Sequence, residues 1–315
     1  MKFLALSAFL ILGMLPASAQ HTVTPPSSAR LPKATVFKGE RKFQAIVKQA
    51  ESENWRQLPL GPRTIRVARA MVGTPYVNYT LEVDDRIESP VVNFEGMDCW
   101  TYYENALAFA RMLRYKPGPY RPEDMLHMVE IERYRGGRCT GGYLSRMHHL
   151  EEVFWDNERR GLAKNITPRI PGAQRLKRQV REMTVQWKSY RYLRNNRDLI
   201  PEMGKIEARI SNLPVYHVPK NKVRGIEKYL QDGDVCAITA NWKYNYTSHV
   251  GLIVRLNGRA YFTHATSDRD KGRMTIIDRP ITDYLNGNSK HAGIIVLRPN
   301  DLKPSKYWDR PVAGR

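Results

Sequence analysis

Hydrophobic positions along the chain change their spacing near residue 230. Before that point, apolar residues recur at intervals of three and four, which is the spacing of one helix face. This spacing predicts helices from Lys42 onward and over residues 64–72, 99–114, 122–132, 147–159 and 173–197. Residues 76–83 are predicted to be extended.

After residue 230, short apolar runs alternate with turn signals. They predict five strands over residues 235–239, 249–254, 260–265, 274–277 and 292–297. Asn257-Gly258, between the second and third runs, is a strong hairpin signal. Helices followed by antiparallel strands predict an α+β fold.

Two segments at the start of the chain differ from the rest. Residues 1–19 have the features of a signal peptide: the cation Lys2, an apolar run and the small residues Ala17-Ser18-Ala19. We expect cleavage near Ala19 and a protein that is periplasmic or secreted, with no membrane anchor. Residues 20–36, rich in Thr, Pro and Ser, are predicted to be flexible. Residues 37–315 are predicted to form a single catalytic domain with a helical insertion around 115–228.

Composition narrows the class of protein. The 42% hydrophobic content excludes disorder along the whole length, and no repeat period indicates collagen or a coiled coil. The net charge of +20 suits an anionic partner such as nucleic acid, a membrane surface or an acidic wall polymer. Charge alone does not distinguish these three partners. The dense basic patch at residues 175–181 is typical of a solvated helix face.

The chain has three cysteines, so at least one thiol is unpaired within it. For Cys139 and Cys236, a disulfide and two buried thiols both remain open. Cys99 begins a predicted helix, where the positive helix end and unpaired backbone N–H groups favour a thiolate. This position predicts a lowered pKa and a nucleophile, the alternative being a buried structural cysteine.

Two histidines flank the predicted hairpin at similar distances from its turn. His249 and His264 lie on adjacent strands, which are about 5 Å apart in a sheet. Side chains on one face could therefore share a hydrogen bond, so that one imidazole takes the thiol proton and the other orients it. The alternative is two unrelated surface histidines.

Four motifs together carry a family resemblance: Gly73-Thr74-Pro75-Tyr76, Asp98-Cys99, Asp232-Gly233-Asp234 and His249-Val250-Gly251. In this combination the chain resembles the NlpC-type papain-like cysteine peptidases, which act on bacterial cell-wall peptides. The resemblance implies a papain-like core, with a nucleophile helix packed on a small antiparallel sheet. It also implies Cys99 as nucleophile, His249 as base and His264 as the orienting residue.

A narrower resemblance rests on Pro75-Tyr76, Thr80-Leu81-Glu82, the run from Asp98 to Glu104, Tyr134 to Gly137 and Gly142 to His148. Over residues 63–297 the chain is similar to the N-acetylmuramoyl-L-alanine amidase-like branch of that superfamily. This resemblance implies cleavage of the amide between muramic acid and L-alanine, with anhydro-muropeptides as preferred peptidoglycan fragments and no nucleic-acid partner. The chain departs from the pattern at His149-Leu150, where an aromatic residue is expected after His148. Trp100-Thr101 stands where many endopeptidases of the superfamily have Ser-Gly.

Several further residues are candidates for binding the substrate. Alternation along an extended segment predicts that Tyr76, Thr80 and Glu82 share one face. Arg146 could hold a substrate carboxylate with two hydrogen bonds, or form a surface ion pair. The full set of candidates is Tyr76, Thr80, Glu82, Asp98, Trp100, Tyr103, Ser145, Arg146 and His148. The run from His148 to Glu152 lacks a recognised metal spacing, so we expect no metal and no cofactor.

Three functions remain open at this point. The first is a cysteine amidase acting on wall fragments, and the second is a γ-D-glutamyl-diaminopimelate cysteine endopeptidase. The third is a non-catalytic, basic module that binds the cell wall. The set of Cys99, His249 and His264 argues against the third, and Trp100 after the cysteine argues against the second.

Overall fold

The computed structural model describes residues 30–301. The predicted signal peptide, residues 20–29 and residues 302–315 lie outside the described residues. The described helices are α1 Lys33–Val36, α2 Glu40–Ser52, α3 Leu60–Ala70, α4 Cys99–Tyr115, α5 Pro122–Arg133, α6 Leu150–Arg159, α7 Glu182–Val185, α8 Arg191–Asn195, α9 Ile200–Ser211, α10 Val223–Ile226 and α11 Ile281–Asn286. The strands are β1 Phe37–Lys38, β2 Val92–Asn93, β3 Ala163–Asn165, β4 Gln174–Leu176, β5 Val215–Pro219, β6 Val235–Ala240, β7 Thr247–Leu256, β8 Arg259–Ala265, β9 Thr275–Pro280 and β10 His291–Pro299.

An antiparallel sheet of eight strands organises the fold, which confirms the α+β prediction. Its order is β4-β5-β10-β6-β7-β8-β9, with β3 also paired to β10. Strands β6 to β10 are the five that the sequence predicts. The predicted helical insertion around 115–228 also supplies β3, β4 and β5. Because β3 and β4 have three residues each, they are too short to show a period of two.

The helix predicted over residues 173–197 is wrong. This stretch contains β4 and only the short helices α7 and α8. Tertiary contacts override its helical pattern, since β4 pairs with β5 and the Arg178 guanidinium donates to the backbone carbonyls of Ala240 and Asn245.

Helix α4 lies at the centre of the larger core. Asp98 caps it, accepting a hydrogen bond from the Thr101 backbone N–H at 2.8 Å, while the Thr101 hydroxyl accepts one from the Asp98 N–H. The helix packs against β7 and β8, where the Tyr102 hydroxyl lies 2.7 Å from Thr263 Oγ1. Every residue from 101 to 113 is buried, so α4 is enclosed on all sides instead of exposing one face.

Charged groups on this enclosed helix are paired. Glu104 accepts a hydrogen bond from Arg133 Nε of α5 at 2.8 Å and forms an ion pair with its Nη2 at 2.7 Å; both side chains are at most 2% exposed. Arg111 contacts Glu132 at 2.7 Å in the same way. Pairing offsets part of the desolvation that buried charges suffer, and these pairs join α4 to α5.

The opposite face of the sheet carries a second, smaller core. Ile253 and Phe262 pack there with Ile226 of α10 and with Ile281 and Leu285 of α11. Alternation along β7 places Val250 in the larger core, so that the neighbouring residue His249 faces the smaller one. This arrangement packs helix α4 against β7, the strand that carries His249.

Two local predictions differ from the structure. Residues 76–83 form an irregular turn, with Tyr79 at a φ of 58°, because Tyr76 bridges to Met97 and the Thr80 hydroxyl lies 3.4 Å from Asp98 Oδ2. In the described part of the segment predicted to be flexible, residues 33–36 form α1, Arg30 contacts Glu130 at 2.6 Å and Val36 is buried, whereas residues 32–34 are exposed. Of the helices in residues 30–301, none is long and apolar enough to cross a membrane.

Candidate active site

Cys99 is the first residue of α4, where the capping box of Asp98 fixes the start of the helix. Its half-buried thiol accepts hydrogen bonds from the backbone N–H groups of Val250 and Trp100. The ladder between β7 and β8 runs from Leu256–Arg259 to Leu252–Thr263 and stops there, which leaves the Val250 N–H to the sulfur. The thiol therefore lies against the residue that follows His249 on β7.

The prediction of a lowered pKa at Cys99 is wrong. Burial, followed by the negative charge of Asp98, raises the pKa of the thiol to about 12. The backbone hydrogen bonds act in the opposite direction but are outweighed. Cys99 is consequently a protonated thiol near neutral pH, and a base must remove its proton when it reacts.

The two histidines contact each other, as the hairpin predicts. His249 Nε2 lies 2.7 Å from His264 Nδ1, and the rings are nearly perpendicular. Burial lowers the pKa of His249 well below its usual value, and the neighbouring His264 lowers it further. Burial also lowers the pKa of His264. Both imidazoles are therefore neutral at pH 7.

A carboxylate that the sequence analysis missed completes this chain of contacts. Asp278 of β9 places Oδ2 3.3 Å from His264 Nε2, and its pKa is held well below the usual range, despite burial, by hydrogen bonds from His264, Lys271 and Arg279. The predicted strand ends at residue 277, whereas β9 continues to Pro280 and includes Asp278. Because His264 pairs with Ile276, an extended strand would place Asp278 diagonally opposite His264 on the same face.

This chain of contacts fixes the proton positions. The Asp278 carboxylate is an acceptor, so His264 donates from Nε2 and leaves Nδ1 as an acceptor. His249 must then donate from its Nε2 to His264. Its remaining nitrogen, Nδ1, is unprotonated and is the one that can act as a base.

A cavity of about 290 Å³ opens beside the thiol. Six of the candidate substrate residues line it together with Cys99: Tyr76, Glu82, Asp98, Trp100, Arg146 and His148. The cavity is also lined by residues that were not candidates from the sequence: Asn78, Tyr79, Leu81, Tyr143, Met147, Met183 and Tyr190. Met183 and Tyr190 come from the stretch wrongly predicted as a helix, so the pattern gave no signal for them.

Three candidates do not line this cavity. Thr80 is buried behind Asp98, with its hydroxyl 3.4 Å from the carboxylate. Tyr103 is buried in the core beneath Trp100, at a ring distance of 6.3 Å. Ser145 donates to the Gly142 carbonyl at 2.7 Å and holds its own loop together. These residues support the cavity from behind.

Arg146 is engaged inside the protein and is not an open clamp. It is 6% exposed, and its guanidinium lies 3.1 Å from Glu88 and 3.7 Å from Glu82. It also lies over the Tyr143 ring, 5.0 Å from the centroid. These carboxylates keep its pKa raised despite burial. The expectation of a bidentate clamp for a substrate carboxylate therefore differs from the structure.

His148 forms part of the aromatic wall of the cavity. Its Nε2 is 3.1 Å from the Tyr143 carbonyl oxygen, and its ring centroid lies 4.3 Å from the Tyr143 ring. Burial, with the nearby Arg146 charge, lowers the pKa of His148 well below its usual value. His148 thus presents a neutral ring.

The other two cysteines are buried free thiols, which settles the alternative left open above. Burial raises the pKa of both, and Cys139 donates to the Glu88 carbonyl at 3.3 Å. Within residues 30–301, no group of three or more His, Cys, Asp or Glu side chains is arranged to hold a metal ion.

Known structures resemble this fold over most of the chain. Two crystal structures of an N-acetylmuramoyl-L-alanine amidase from Bacteroides uniformis ATCC 8492 align with 77% of this chain and 99% of theirs, at 27% and 26% identity and TM-scores of 0.68 and 0.69. A protein from Legionella pneumophila str. Philadelphia 1 shares the fold, with 19% identity, 84% of this chain and 96% of that chain covered, and a TM-score of 0.64. A search of curated proteins gives no match.

Family comparison agrees with these structural neighbours. The family model described as N-acetylmuramoyl-L-alanine amidase-like matches residues 66–294, nearly three quarters of the chain. The matched range contains Cys99, both histidines, Asp278 and every residue that lines the thiol cavity. The chain therefore belongs to the N-acetylmuramoyl-L-alanine amidase-like family.

Proposed function

We propose that this protein is an exported cysteine amidase that hydrolyses the amide between muramic acid and L-alanine in peptidoglycan fragments. Anhydro-muropeptides are the proposed substrates, and export by residues 1–19 would place the enzyme in the periplasm or outside the cell. The observation that carries the proposal is the chain of contacts running from His249 through His264 to Asp278, with the Cys99 thiol bound to the next residue of β7.

Acylation begins from a neutral thiol and a neutral imidazole. The Cys99 sulfur attacks the lactyl carbonyl carbon of muramic acid as His249 Nδ1 takes the thiol proton. The tetrahedral oxyanion forms near the positive N-terminal end of α4. His249 then gives the proton to the L-alanine nitrogen, the C–N bond breaks, and a muramoyl thioester and a free peptide amine result.

Deacylation reverses these proton transfers with water. His249 Nδ1 takes a proton from the water as its oxygen attacks the thioester carbon. The C–S bond breaks, the proton returns to the Cys99 sulfur, and the muramic acid carboxyl group is released. Throughout the cycle the His249 Nε2–H donates to His264 Nδ1, which keeps the His249 ring in place. The Asp278 charge, acting through His264, stabilises the His249 imidazolium that forms transiently.

The thiol cavity favours a sugar on the acyl side. Trp100, Tyr76 and Tyr79 present aromatic rings suited to the apolar face of a sugar. Arg146 is the one cation among the described residues that line the cavity, and Glu82 and Glu88 already neutralise it. An endopeptidase would have to place the α-carboxylate of D-glutamate in this cavity without a partner cation. The residues that line the thiol cavity therefore favour an amidase over an endopeptidase.

Product analysis tests the proposal. The wild-type protein and its Cys99→Ala variant would be incubated with an anhydro-disaccharide tripeptide and with the same tripeptide lacking sugar, and the products weighed by mass spectrometry. We expect free disaccharide and free tripeptide from the first substrate, slow or no cleavage of the second, and no products from the variant. Cleavage of the sugar-free tripeptide between D-glutamate and diaminopimelate at a comparable rate would replace the amidase by an endopeptidase. Absence of any product would favour a wall-binding module.

A further inference from the structure

A second cavity, of about 500 Å³, opens beside His249 at the beginning of β7. His249 lines it together with Ser248, Trp242 and Tyr284, whereas Cys99 lines the first cavity. Cys99 thus borders one cavity and His249 borders the other.

The chemistry of amide cleavage assigns each cavity a part of the substrate. The group that protonates the leaving nitrogen must be within hydrogen-bond reach of it, so the leaving amine lies on the imidazole side. The acyl group becomes bonded to the sulfur and stays on the thiol side. If the proposed function holds, the second cavity therefore receives the peptide that leaves, beginning with L-alanine.

The second cavity is also the cationic one. Lys271, Arg279 and Lys290 line it, and Asp268 is the one carboxylate among its described lining residues. Lys271 and Arg279 share the Asp278 carboxylate, but half of the Arg279 side chain stays exposed. Within residues 30–301, Lys290 makes no ion pair and its side chain is exposed. An anionic ligand in this cavity would therefore meet a cation, Lys290, that no carboxylate of the described residues neutralises.

We propose that this cavity, lined by His249, Lys271, Arg279, Lys290 and Trp242, is a subsite for the carboxylates of the leaving stem peptide. The proposal deepens the proposed function and rests on it. A stem peptide carries the α-carboxylate of D-glutamate and further carboxylates at the next residue, and both lysine and arginine recognise carboxylates by charge-assisted hydrogen bonds. The thiol cavity thus offers aromatic rings to the sugar, and the second cavity offers cations to the carboxylates of the peptide.

Binding to an inactive variant tests this subsite without turnover. Calorimetry on the full chain carrying Cys99→Ala would use L-alanyl-γ-D-glutamyl-diaminopimelate and the same peptide with every carboxylate converted to a carboxamide. We expect the acidic peptide to bind and the carboxamide to bind at least about tenfold more weakly, since the charge-assisted bonds are lost. Adding Lys290→Glu should weaken binding of the acidic peptide by about tenfold and leave the carboxamide unchanged.

Lys48→Glu is the matched control, because it makes the same charge change at an exposed position on α2. It should change the dissociation constant less than about twofold, since screening weakens distant surface charges. Equal affinity for the two peptides, no detectable binding, or equal effects of the two substitutions would overturn the subsite.

The subsite and the proposed function can fail separately. Charge-dependent, Lys290-dependent binding in the Cys99→Ala protein, with no muropeptide hydrolysed by the wild type, would refute the amidase and leave the subsite standing. Hydrolysis by the wild type with charge-independent peptide binding would refute the subsite alone.

Discussion

Removing the Asp278 carboxylate tests the chain of contacts behind the base. In Asp278→Ala, the His264 Nε2–H loses its acceptor at 3.3 Å, and Lys271 remains beside the ring without its counter-ion. His264 is then free to move its proton to Nδ1. In that tautomer His264 donates to His249 Nε2, and the His249 proton shifts to Nδ1, where the base is needed.

The size of the effect follows from the bond that is lost. Asp278 and His264 have side chains that are 7% and 2% exposed, so water screens their contact poorly. A hydrogen bond to a charged group contributes about 1.5–3 kcal/mol, and losing it from the transition state lowers kcat/KM roughly 10- to 150-fold. Asp278→Asn removes the charge but keeps an amide oxygen that can accept hydrogen bonds from Lys271 and His264. We therefore expect kcat/KM of this variant to fall by about tenfold or less.

The assay is steady-state hydrolysis of an anhydro-muropeptide, with the pH profile of kcat/KM measured for each variant. Because Asp278 raises the pKa of His264, the acidic limb of the Asp278→Ala profile should move to lower pH. A purely structural defect would lower activity without moving that limb. Asp283→Ala serves as the control, since it removes a half-exposed carboxylate outside the relay. Wild-type activity and an unchanged profile in Asp278→Ala would refute the positioning role.

Three further predictions follow from the same residues. Cys99→Ala should abolish turnover without lowering the melting temperature. Iodoacetamide should label Cys99 before the buried Cys139 and Cys236, which peptide mapping would detect. Equal labelling of the three thiols would contradict an accessible nucleophile. The pH profile of kcat/KM should be flat from about pH 7 to about pH 10, because the pKa of His249 lies well below 6.5 and that of Cys99 is about 12. An acidic limb above pH 7 would contradict a neutral thiol and a neutral imidazole. Glu104→Ala should lower the free energy of unfolding in urea by about 3–5 kcal/mol, since it leaves Arg133 buried and unpaired, and a loss below about 1 kcal/mol would contradict that pairing.

Local patterns predicted the part of the site that regular structure builds. The helix that begins at Cys99 and the hairpin that joins β7 to β8 have long apolar repeats and a specific turn, Asn257-Gly258. These two features allowed a contact between His249 and His264 to be predicted, with two unrelated surface histidines as the alternative. Asp278 was missed because it lies one residue beyond the apolar run that marks its strand.

Properties set by distant contacts were not predictable from the sequence pattern. The position of Cys99 at a helix end favours a thiolate, but burial is a tertiary effect and dominates its pKa. From its loop, Arg146 was predicted to be available for a substrate carboxylate or a surface ion pair. In the structure Glu82 and Glu88, some sixty residues earlier in the chain, pack against it and neutralise it. Met183 and Tyr190 reach the cavity from a segment whose own propensity indicates a helix.

Trapping the covalent intermediate tests whether Cys99 is the nucleophile and which side of the substrate it retains. The wild-type protein would be mixed with excess anhydro-muropeptide, quenched with acid within milliseconds, and its peptides weighed by mass spectrometry. We expect a thioester on Cys99 whose added mass is that of the muramoyl sugar, with no stem peptide attached. A peptidyl adduct on Cys99, or hydrolysis of the muramoyl–L-alanine amide with Cys99 unmodified at every time point, would contradict it.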